Sequence, residues 1–350
     1  MKITKRLLAD LNKCYALSPV LLNGETHYIV ASEKEFPCLL LSPCGEYENT
    51  IWDKPGGTMS IVQLPGSNGV FLATQRFYSP YNASDASIIM AEPSGEGGWT
   101  ITTVAKLPHV HRFDIIRSQG VNYLFACTIA TDKTDKQDWG KPGKVFACRI
   151  GSTAEEIKSA LPLQLEIIYD GIFKNHGYSR REGPAGPSAI VAGEDGIFEF
   201  SPPRDSNGWA VKKLSDEPTS EALICDIDSD GVDEMITFSP FHGDTLKVLK
   251  QTGDGFTEIY RCPYPLEFLH AMCYAEVGGK PCVAVGHRGG ERDILLLSCD
   301  ASSEGEQIRL DTIDRDVGSA NVIYTKAGGK DVILSANRET DKVMWYELSY

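Results

Sequence analysis

The residues of this chain that are best suited to metal or acid–base chemistry are its histidines. They are His27, His109, His111, His176, His242, His270 and His287. Neutral imidazole is a common ligand of transition metals and also titrates near neutral pH, so it serves as a general base. His109 and His111 are separated by one residue, which in a strand places both rings on the same side. Glu221 is a carboxylate that could act beside them.

A second group is the acidic segment that runs from Asp226 to Glu234. Asp226, Asp228 and Asp230 occupy its first, third and fifth positions, a glycine follows, and Glu234 is ninth. Hard cations take six to eight oxygens, and these side chains together with the Val232 carbonyl predict a calcium loop. An EF-hand is excluded because no glutamate stands at the twelfth position and strands are predicted on both sides. The open alternative is a hairpin turn without a metal.

The elements that must position these residues are short β-strands. Runs rich in Val, Ile, Phe, Tyr and Thr alternate with Gly, Pro, Asn and Asp turns, which predicts an all-β chain. One four-stranded unit recurs seven times, with starts near Ala16, Met59, His111, Pro187, Glu221, His270 and Ser319. That repeat is typical of a β-propeller. We therefore predict one propeller domain over residues 1–350, with seven blades as the favoured number within a range of six to eight.

Ring closure is predicted at the ends of the chain. The last unit shows only three strands, and Lys2–Leu8 could supply its fourth, which would remove an open sheet edge. Helical character is predicted for Thr153–Leu161 and, as an alternative for the N-terminus, for Lys5–Leu11. No Pro-, Gly- or Ser-rich linker divides the sequence into two domains.

Composition excludes several classes of partner. Lys and Arg number 34 and Asp and Glu 48, a formal charge of −14 that disfavours nucleic acid. No apolar run is long enough for a membrane span, and the N-terminal charges do not fit a signal peptide. The ten cysteines include no CxxC pair, which favours reduced thiols. We expect a cytoplasmic protein with a small-molecule partner, and the sequence leaves the oligomeric state open.

Propeller geometry brings most of the histidines to one face. Loops between blades and loops between second and third strands emerge on the same side, and all histidines except His27 map there. The same loops hold further polar residues: Arg76, Tyr78, Arg288, Asn337 and Arg338. The mouth of a propeller channel is a concavity in which such groups converge. Two interpretations stay open at this stage: a zinc or other divalent metal site near the axis, or a metal-free site with a histidine base and an arginine anion clamp.

Two resemblances refine this picture. The segment Asp226–Glu234 resembles the loop of FG-GAP or VCBS repeats, which implies a structural calcium ion. The stretches Pro108–Ile115, Tyr123–Thr128 and Asp138–Val145 resemble the propeller domain of the aldos-2-ulose dehydratase/isomerase family. Members of that family dehydrate and isomerise keto-sugars such as 1,5-anhydrofructose with metal ions.

The second resemblance implies roles for individual residues. His111, His176 and His270 would surround a metal, with His109 and Glu221 as catalytic base or further ligands. Sugar hydroxyls would be bound by residues around the rim: Arg76, Tyr78, His242, His287, Arg288, Asn337 and Arg338. The function expected on this basis is a metal-assisted carbohydrate lyase or isomerase. The alternative is a non-catalytic, calcium-stabilised propeller that binds a carbohydrate or a protein.

Overall fold

Strands make up nearly all of the computed structural model, which describes residues 1–204, 208–253, 255–302 and 305–349. The described strands form seven antiparallel sheets of four strands each. Contacts between the first strands of successive sheets run around the whole set, so the sheets are blades of a closed ring. The prediction of an all-β, seven-bladed propeller is confirmed. Within the described residues, no helix is long and apolar enough to cross a membrane.

The strands of blades 1 to 4 follow in chain order after an N-terminal strand. The N-terminal strand is β1 (Lys2–Asp10). Blade 1 holds β2 (Cys14–Leu22), β3 (Glu25–Ser32), β4 (Cys38–Leu41) and β5 (Tyr47–Trp52). Blade 2 holds β6 (Ile61–Gln63), β7 (Phe71–Gln75), β8 (Ser87–Pro93) and β9 (Trp99–Lys106). Blade 3 holds β10 (Val110–Ser118), β11 (Val121–Thr128), β12 (Gly143–Ile150) and β13 (Glu166–Ile172). Blade 4 holds β14 (Gly177–Gly183), β15 (Gly186–Gly193), β16 (Gly196–Ser201) and β17 (Ala210–Ser215).

The remaining strands complete the ring. Blade 5 holds β18 (Glu221–Cys225), β19 (Glu234–Ser239), β20 (Thr245–Thr252) and β21 (Gly255–Arg261). Blade 6 holds β22 (Leu269–Val277), β23 (Lys280–His287), β24 (Ile294–Ser302) and β25 (Gly305–Asp314). Blade 7 holds β26 (Ser319–Ala327), β27 (Lys330–Asn337) and β28 (Lys342–Ser349), with β1 as its outer strand.

Apolar side chains between neighbouring blades hold the ring together. The cluster between blades 5 and 6, for example, joins Ile236 and Val248 to Val283 and Leu297, all fully buried. Each such side chain contributes about 1.5–3 kcal/mol when it leaves water. The middle strands pack on both faces, which explains why their sequences are continuously apolar.

The N-terminal strand closes the ring as the sequence predicts. It pairs antiparallel with β28, from Lys2 opposite Ser349 to Asp10 opposite Lys342. The alternative of a helix over residues 5–11 is wrong, because most of this segment forms a strand that pairs with the edge of β28. The other helix prediction is confirmed: α1 (Ala154–Ser159) begins after Thr153, whose side chain accepts a hydrogen bond from the Glu156 N–H.

One predicted blade start is wrong. The sequence places the start of the fourth unit near Pro187, but Pro187 lies in β15, the second strand of blade 4. The first strand is β14, with the sequence Gly-Tyr-Ser-Arg-Arg-Glu-Gly. Its polar residues hide the strand pattern. In the structure they are used in ion pairs, such as that of Arg180 with Asp114 at 2.7 Å.

Candidate functional site

The first strands of four blades share a one-residue bulge close to where the strand begins. In blade 3, Val110 pairs with Thr128 and Arg112 with Cys127, so that His111 between them has no cross-strand partner. The residues left out in the same way in blades 1, 6 and 7 are Tyr15, His270 and Ala320. A bulge re-aims the side chain of its extra residue. Tyr15, His111 and His270 accordingly line one central cavity.

His109 does not share a strand face with His111. It precedes β10 with a left-handed φ of 60°, and its Nδ1 lies 3.1 Å from the Pro80 carbonyl oxygen. In five other blades, a residue with positive φ stands at the position that corresponds to His109. These residues are Lys13, Gly57, Lys174, Phe268 and Gly318. His109 therefore shapes the turn into blade 3. The expected shared coordination fails because the backbone between the two histidines is not extended.

Three imidazoles from three successive blades converge at the axis. His176 directly precedes β14, His242 lies between β19 and β20, and His270 is the bulge residue of β22. One ring nitrogen of each lies within 4.8 Å of the others. The Nε2 atoms of His176 and His242 are 3.3 Å apart. Two nitrogens at tetrahedral angles around one zinc ion would be separated by about 3.3 Å. We call these residues the axial triad.

Two rings of the axial triad are oriented by contacts at their Nδ1 atoms. The Nδ1 of His176 lies 3.0 Å from Glu221 Oε1, and the Nδ1 of His270 lies 2.8 Å from the Ala320 carbonyl oxygen. Metal-bound histidines usually donate their second N–H to a carboxylate or a backbone carbonyl in this way. With Nδ1 as the donor, each ring presents an unprotonated Nε2 that could coordinate an ion; that atom of His176 now lies against His242 Nε2 and that of His270 against the Tyr15 hydroxyl.

Glu221 acts on the site through His176. Its Oε1 is also 3.4 Å from Arg112 Nη2, and its Oε2 accepts a hydrogen bond from the Tyr178 N–H at 3.3 Å. Because both oxygens are engaged in the blade wall, Glu221 is placed as a positioning residue. This differs from the base or ligand role that the sequence suggests.

The site favours neutral imidazole. Burial lowers the pKa of His242 and of His270 well below the usual value. The positive charge of Arg288 and the neighbouring His176 lower both values further. Metal binding needs the unprotonated ring, so both residues are in the coordinating form at neutral pH.

His111 and Tyr15 stand beside the axial triad. The ring of His111 is centred 4.6 Å from that of His176, and burial lowers its pKa well below the usual value. Its Nδ1 is buried without a hydrogen-bond partner among the described residues. The Tyr15 hydroxyl lies 3.2 Å from His270 Nε2, and burial raises the pKa of this phenol, which stays protonated.

The set of candidate metal ligands in the structure thus differs from the predicted set. His242, expected to bind substrate, joins His176 and His270, whereas His111 stands next to them. His242 reaches the axis from a loop position with φ 48°, and its ring stacks on Phe241 at 3.9 Å. Tyr15 was missed by the sequence analysis. The signal that could have found it is its place at the first strand of blade 1, equivalent to His111 in blade 3.

The cavity above the axial triad has a volume of about 400 Å³. Much of its wall is aromatic: Phe77, Tyr78, Tyr81, Trp139, Phe241 and Phe268. Trp139 packs edge-on against Phe241, with ring centres 5.3 Å apart. The Lys133 ammonium lies 3.7 Å from the centre of the Trp139 ring. The predicted site residues Tyr78, His242, Arg288 and Arg338 all line this cavity.

Two arginines form one side of the cavity. Arg288 and Arg338 follow the last residues of β23 and β27, so they are equivalent positions of blades 6 and 7. Arg288 donates from Nε and Nη2 to Glu339 Oε1 at 2.9 and 2.7 Å. Arg338 donates from Nη1 to the same oxygen at 2.8 Å and from Nη2 to Glu33. We call Arg288 and Arg338 the arginine pair.

Three residues predicted to bind substrate lie elsewhere. His287 accepts a hydrogen bond at Nε2 from the Asp293 N–H at 3.0 Å. Asn337 donates to the Tyr346 hydroxyl at 2.8 Å. Both are the final residues of their strands and are used inside the blade, while the arginine that follows each lines the cavity. Arg76 lines a separate surface cavity.

In the acidic loop, a lysine lies among the carboxylates. Lys250 stands opposite Glu234 in the ladder of β19 and β20. Its Nζ lies 2.5 Å from Asp228, 2.7 Å from Asp230 and 3.1 Å from Glu234. Carboxylate oxygens of Asp226, Asp228 and Glu234 lie within 4.8 Å of one another. The ammonium thus supplies the positive charge that these groups require.

A calcium ion at the acidic loop would compete with Lys250 for the carboxylates. Asp226 accepts the Gly231 N–H at 2.9 Å, and Asp230 accepts the Val232 N–H at 2.8 Å. A cation at the centre of the carboxylates would have to displace Lys250. The calcium site therefore stays a prediction, and it requires this side chain to move.

Comparison with known proteins supports the fold alone. No family model matches the chain, and no curated protein matches it in sequence. A solved streptogramin B lyase superposes with a TM-score of 0.57 at 13% identity, covering 98% of this chain and 97% of its own. A Myceliophthora thermophila Cps50 (Swd1) propeller domain gives 0.58 at 6% identity, covering 99% and 100%. A proposed oxidoreductase (glucose dehydrogenase) from Thermus thermophilus gives 0.51 at 13% identity, covering 99% and 100%.

Proposed function

We propose that this protein is a metal-dependent lyase or isomerase whose active site is the axial triad and the cavity above it. The observation that carries the proposal is the convergence of His176, His242 and His270, two of which have their Nδ1 atoms held from behind. Three protein ligands leave a coordination position open for substrate, as in catalytic metal sites. A purely structural site would be closed by a fourth protein ligand.

The choice of substrate and reaction rests on the sequence resemblance. Residues 108–115, 123–128 and 138–145 all belong to blade 3 or to its loops, and they resemble the aldos-2-ulose dehydratase/isomerase propeller. We therefore propose a keto-sugar as substrate and the elimination of water as the reaction. Zinc or another divalent ion is the proposed cofactor.

The chain's own residues suit the steps of such an elimination. A divalent ion in the axial triad would polarise the substrate carbonyl. His111, neutral and with an unpartnered Nδ1, is the candidate base for the proton on the adjacent carbon. The Tyr15 phenol is the candidate acid that protonates the departing hydroxyl, so that the C–H and C–O bonds break, a C=C bond forms and water leaves. The aromatic wall limits access of bulk water.

The test is metal content followed by turnover. Protein purified without chelators or a His tag would be analysed by elemental mass spectrometry as wild type and as His176→Ala, His242→Ala and His270→Ala. We expect one transition metal or zinc per chain in the wild type and its loss in each variant. His287→Ala is the matched control, because this buried histidine lies outside the cavity, and it should retain the metal.

Turnover of 1,5-anhydrofructose would then be followed by the absorbance of the conjugated product. His111→Ala should keep the metal and lose turnover. A protein that contains no such metal, or a triad variant that retains it, contradicts the proposed site. Full turnover without metal would favour the metal-free acid–base interpretation. Absence of both metal and turnover, with carbohydrate or protein binding preserved, would favour the non-catalytic propeller.

A further inference from the structure

We propose that the substrate carries a carboxylate and that the arginine pair, Arg288 and Arg338, binds it. This inference rests on the proposed function, since it assigns the substrate class of the same cavity. It departs from the neutral keto-sugar that the sequence resemblance suggests.

The first argument is the charge of the cavity. Five cations line it: Lys34, Lys133, Lys136, Arg288 and Arg338. Glu33 is the only acidic side chain among the described lining residues. The whole chain has a formal charge of −14, so this concentration of positive charge is local. A cleft lined by one sign of charge raises the local concentration of ligands of the other sign.

The second argument is the supply of hydrogen-bond donors. A guanidinium has five N–H groups in a fixed planar fork that matches a carboxylate. Arg288 uses Nε and Nη2 on Glu339, and no partner of its Nη1 occurs within the described part of the chain. The Nε of Arg338 is buried without a hydrogen-bond partner among the same residues. The arginine pair therefore has unused donors after its internal ion pairs are satisfied.

The third argument is position. The Arg288 guanidinium lies 4.7 Å from the centre of the Phe268 ring, and that ring is centred 4.4 Å from the imidazole of His242. Phe268 thus holds the guanidinium in place beside the axial triad. A carboxylate on Arg288 would put the neighbouring carbon atoms of the same small molecule over the triad, where the carbonyl chemistry is proposed.

The charge beside the arginine pair matches one carboxylate, although Lys133 and Lys136 add two positive charges elsewhere in the cavity. Arg288, Arg338 and Lys34 face two acidic groups, Glu33 and Glu339, which leaves one excess positive charge on this side of the cavity. A carboxylate carries one negative charge, whereas a phosphate monoester carries nearly two at neutral pH. A single carboxylate therefore neutralises the group without excess.

The experiment compares two ligands that differ only in this group. D-fructose and 2-keto-D-gluconate have the same carbon skeleton, and the second has a carboxylate at C1. Calorimetric titration of the wild-type protein should show 2-keto-D-gluconate binding at least about tenfold more tightly, with an affinity that falls as salt is added. Equal affinity for the two compounds would overturn the inference. D-fructose 6-phosphate is the third probe, and tighter binding of it than of the acid would refute the carboxylate assignment.

Variants locate the anion site. Arg288→Met and Arg338→Met should each reduce the affinity for 2-keto-D-gluconate by about tenfold and leave that for D-fructose nearly unchanged. Arg117→Met is the control, because Arg117 is exposed on β10 and lies outside the cavity. If the arginine variants do not fold, the comparison of the two sugars on the wild type still decides. An unchanged preference for the acid in folded arginine variants would refute the assignment.

Repeating the titration with the metal-free His176→Ala variant separates the two proposals. A preference for the acid that persists in this variant would show that the anion site does not depend on the metal, whereas a wild type that prefers the acid but has neither metal nor turnover would contradict the proposed lyase alone. A wild type that has metal and turnover but no preference for the acid would support the proposed lyase and contradict the anion site.

Discussion

Replacing Lys250 by methionine tests whether the acidic loop is neutralised by the protein itself. The Lys250 ammonium contacts Asp228, whose side chain is 4% exposed, and Glu234, which is fully buried. Removing one partner of a buried ion pair costs about 3–5 kcal/mol. Because Asp230 is 45% exposed and keeps its hydration, we expect a loss at the lower end, about 3 kcal/mol.

That loss should be visible in the melting temperature. At about 2.1 cal/mol/K per residue, a unit of 350 residues has an unfolding entropy of about 0.7 kcal/mol/K. The substitution should therefore lower the Tm by about 4 °C in differential scanning calorimetry. Lys326→Met, at an exposed position of β26, is the matched control and should change the Tm little.

Calcium supplies the second half of the test. If Lys250 stays at the centre of the carboxylates, the wild type should show no rise in Tm when calcium is added and no fall when a chelator is added, and the calcium site predicted from the sequence would then be wrong. In Lys250→Met the loop becomes free to bind calcium, and an excess of about 100 times the Kd would restore about 2.7 kcal/mol. Stabilisation of the wild type by calcium, or a Lys250→Met variant as stable as the wild type, would refute this reasoning.

Three other predictions follow from the contacts described above. Glu221→Gln should weaken metal binding by about 10- to 100-fold while the fold is retained, because it loosens the orientation of His176; isothermal titration with zinc measures it. His109→Asn should leave metal content unchanged, since Asn tolerates the left-handed backbone and the ring is not a ligand; a loss of metal would contradict the structure. Burial lowers the pKa of His287 despite the opposing effects of Asp293 and Glu267. The neutral ring therefore contributes its full stabilisation above about pH 6.5, and this stabilisation is lost as the pH falls below that value. Urea unfolding at pH 5 and 7 measures the difference in the free energy of unfolding. His287→Gln should reduce that difference by about 1 kcal/mol.

The seven-bladed propeller could be predicted from the sequence because most blades repeat one pattern of apolar runs and turns. Seven units and the N-terminal closing strand are both confirmed. The failure at Pro187 has a physical origin, since β14 is stabilised by ion pairs such as Arg180 with Asp114 and offers no apolar alternation. The helix expected over residues 5–11 failed because the edge of β28 decides the conformation of that segment, which no local pattern records.

From the sequence, the position of the candidate site could be predicted only as one face of the propeller. Topology assigns His176, His242 and His270 to one end of the ring, and the structure brings them together. The choice of His242 over His111 could not be read from the sequence, because it depends on the path of a loop and on stacking against Phe241. Tyr15 was missed because strand periodicity does not anticipate a bulge, and the error at His109 came from the left-handed turn before β10.

The bulge shared by four blades has a consequence for how this protein can be altered. Each bulge residue has no cross-strand partner, so we expect that its side chain can be replaced without loss of a ladder hydrogen bond. The four positions currently hold Tyr15, His111, His270 and Ala320. Ala320 is buried in an apolar cluster at this position, and we expect a histidine or a glutamate there to test whether a further metal ligand can be added on the strand next to His270. The four bulges are therefore the positions at which we expect the side chains near the axis to be changed with least effect on the blades.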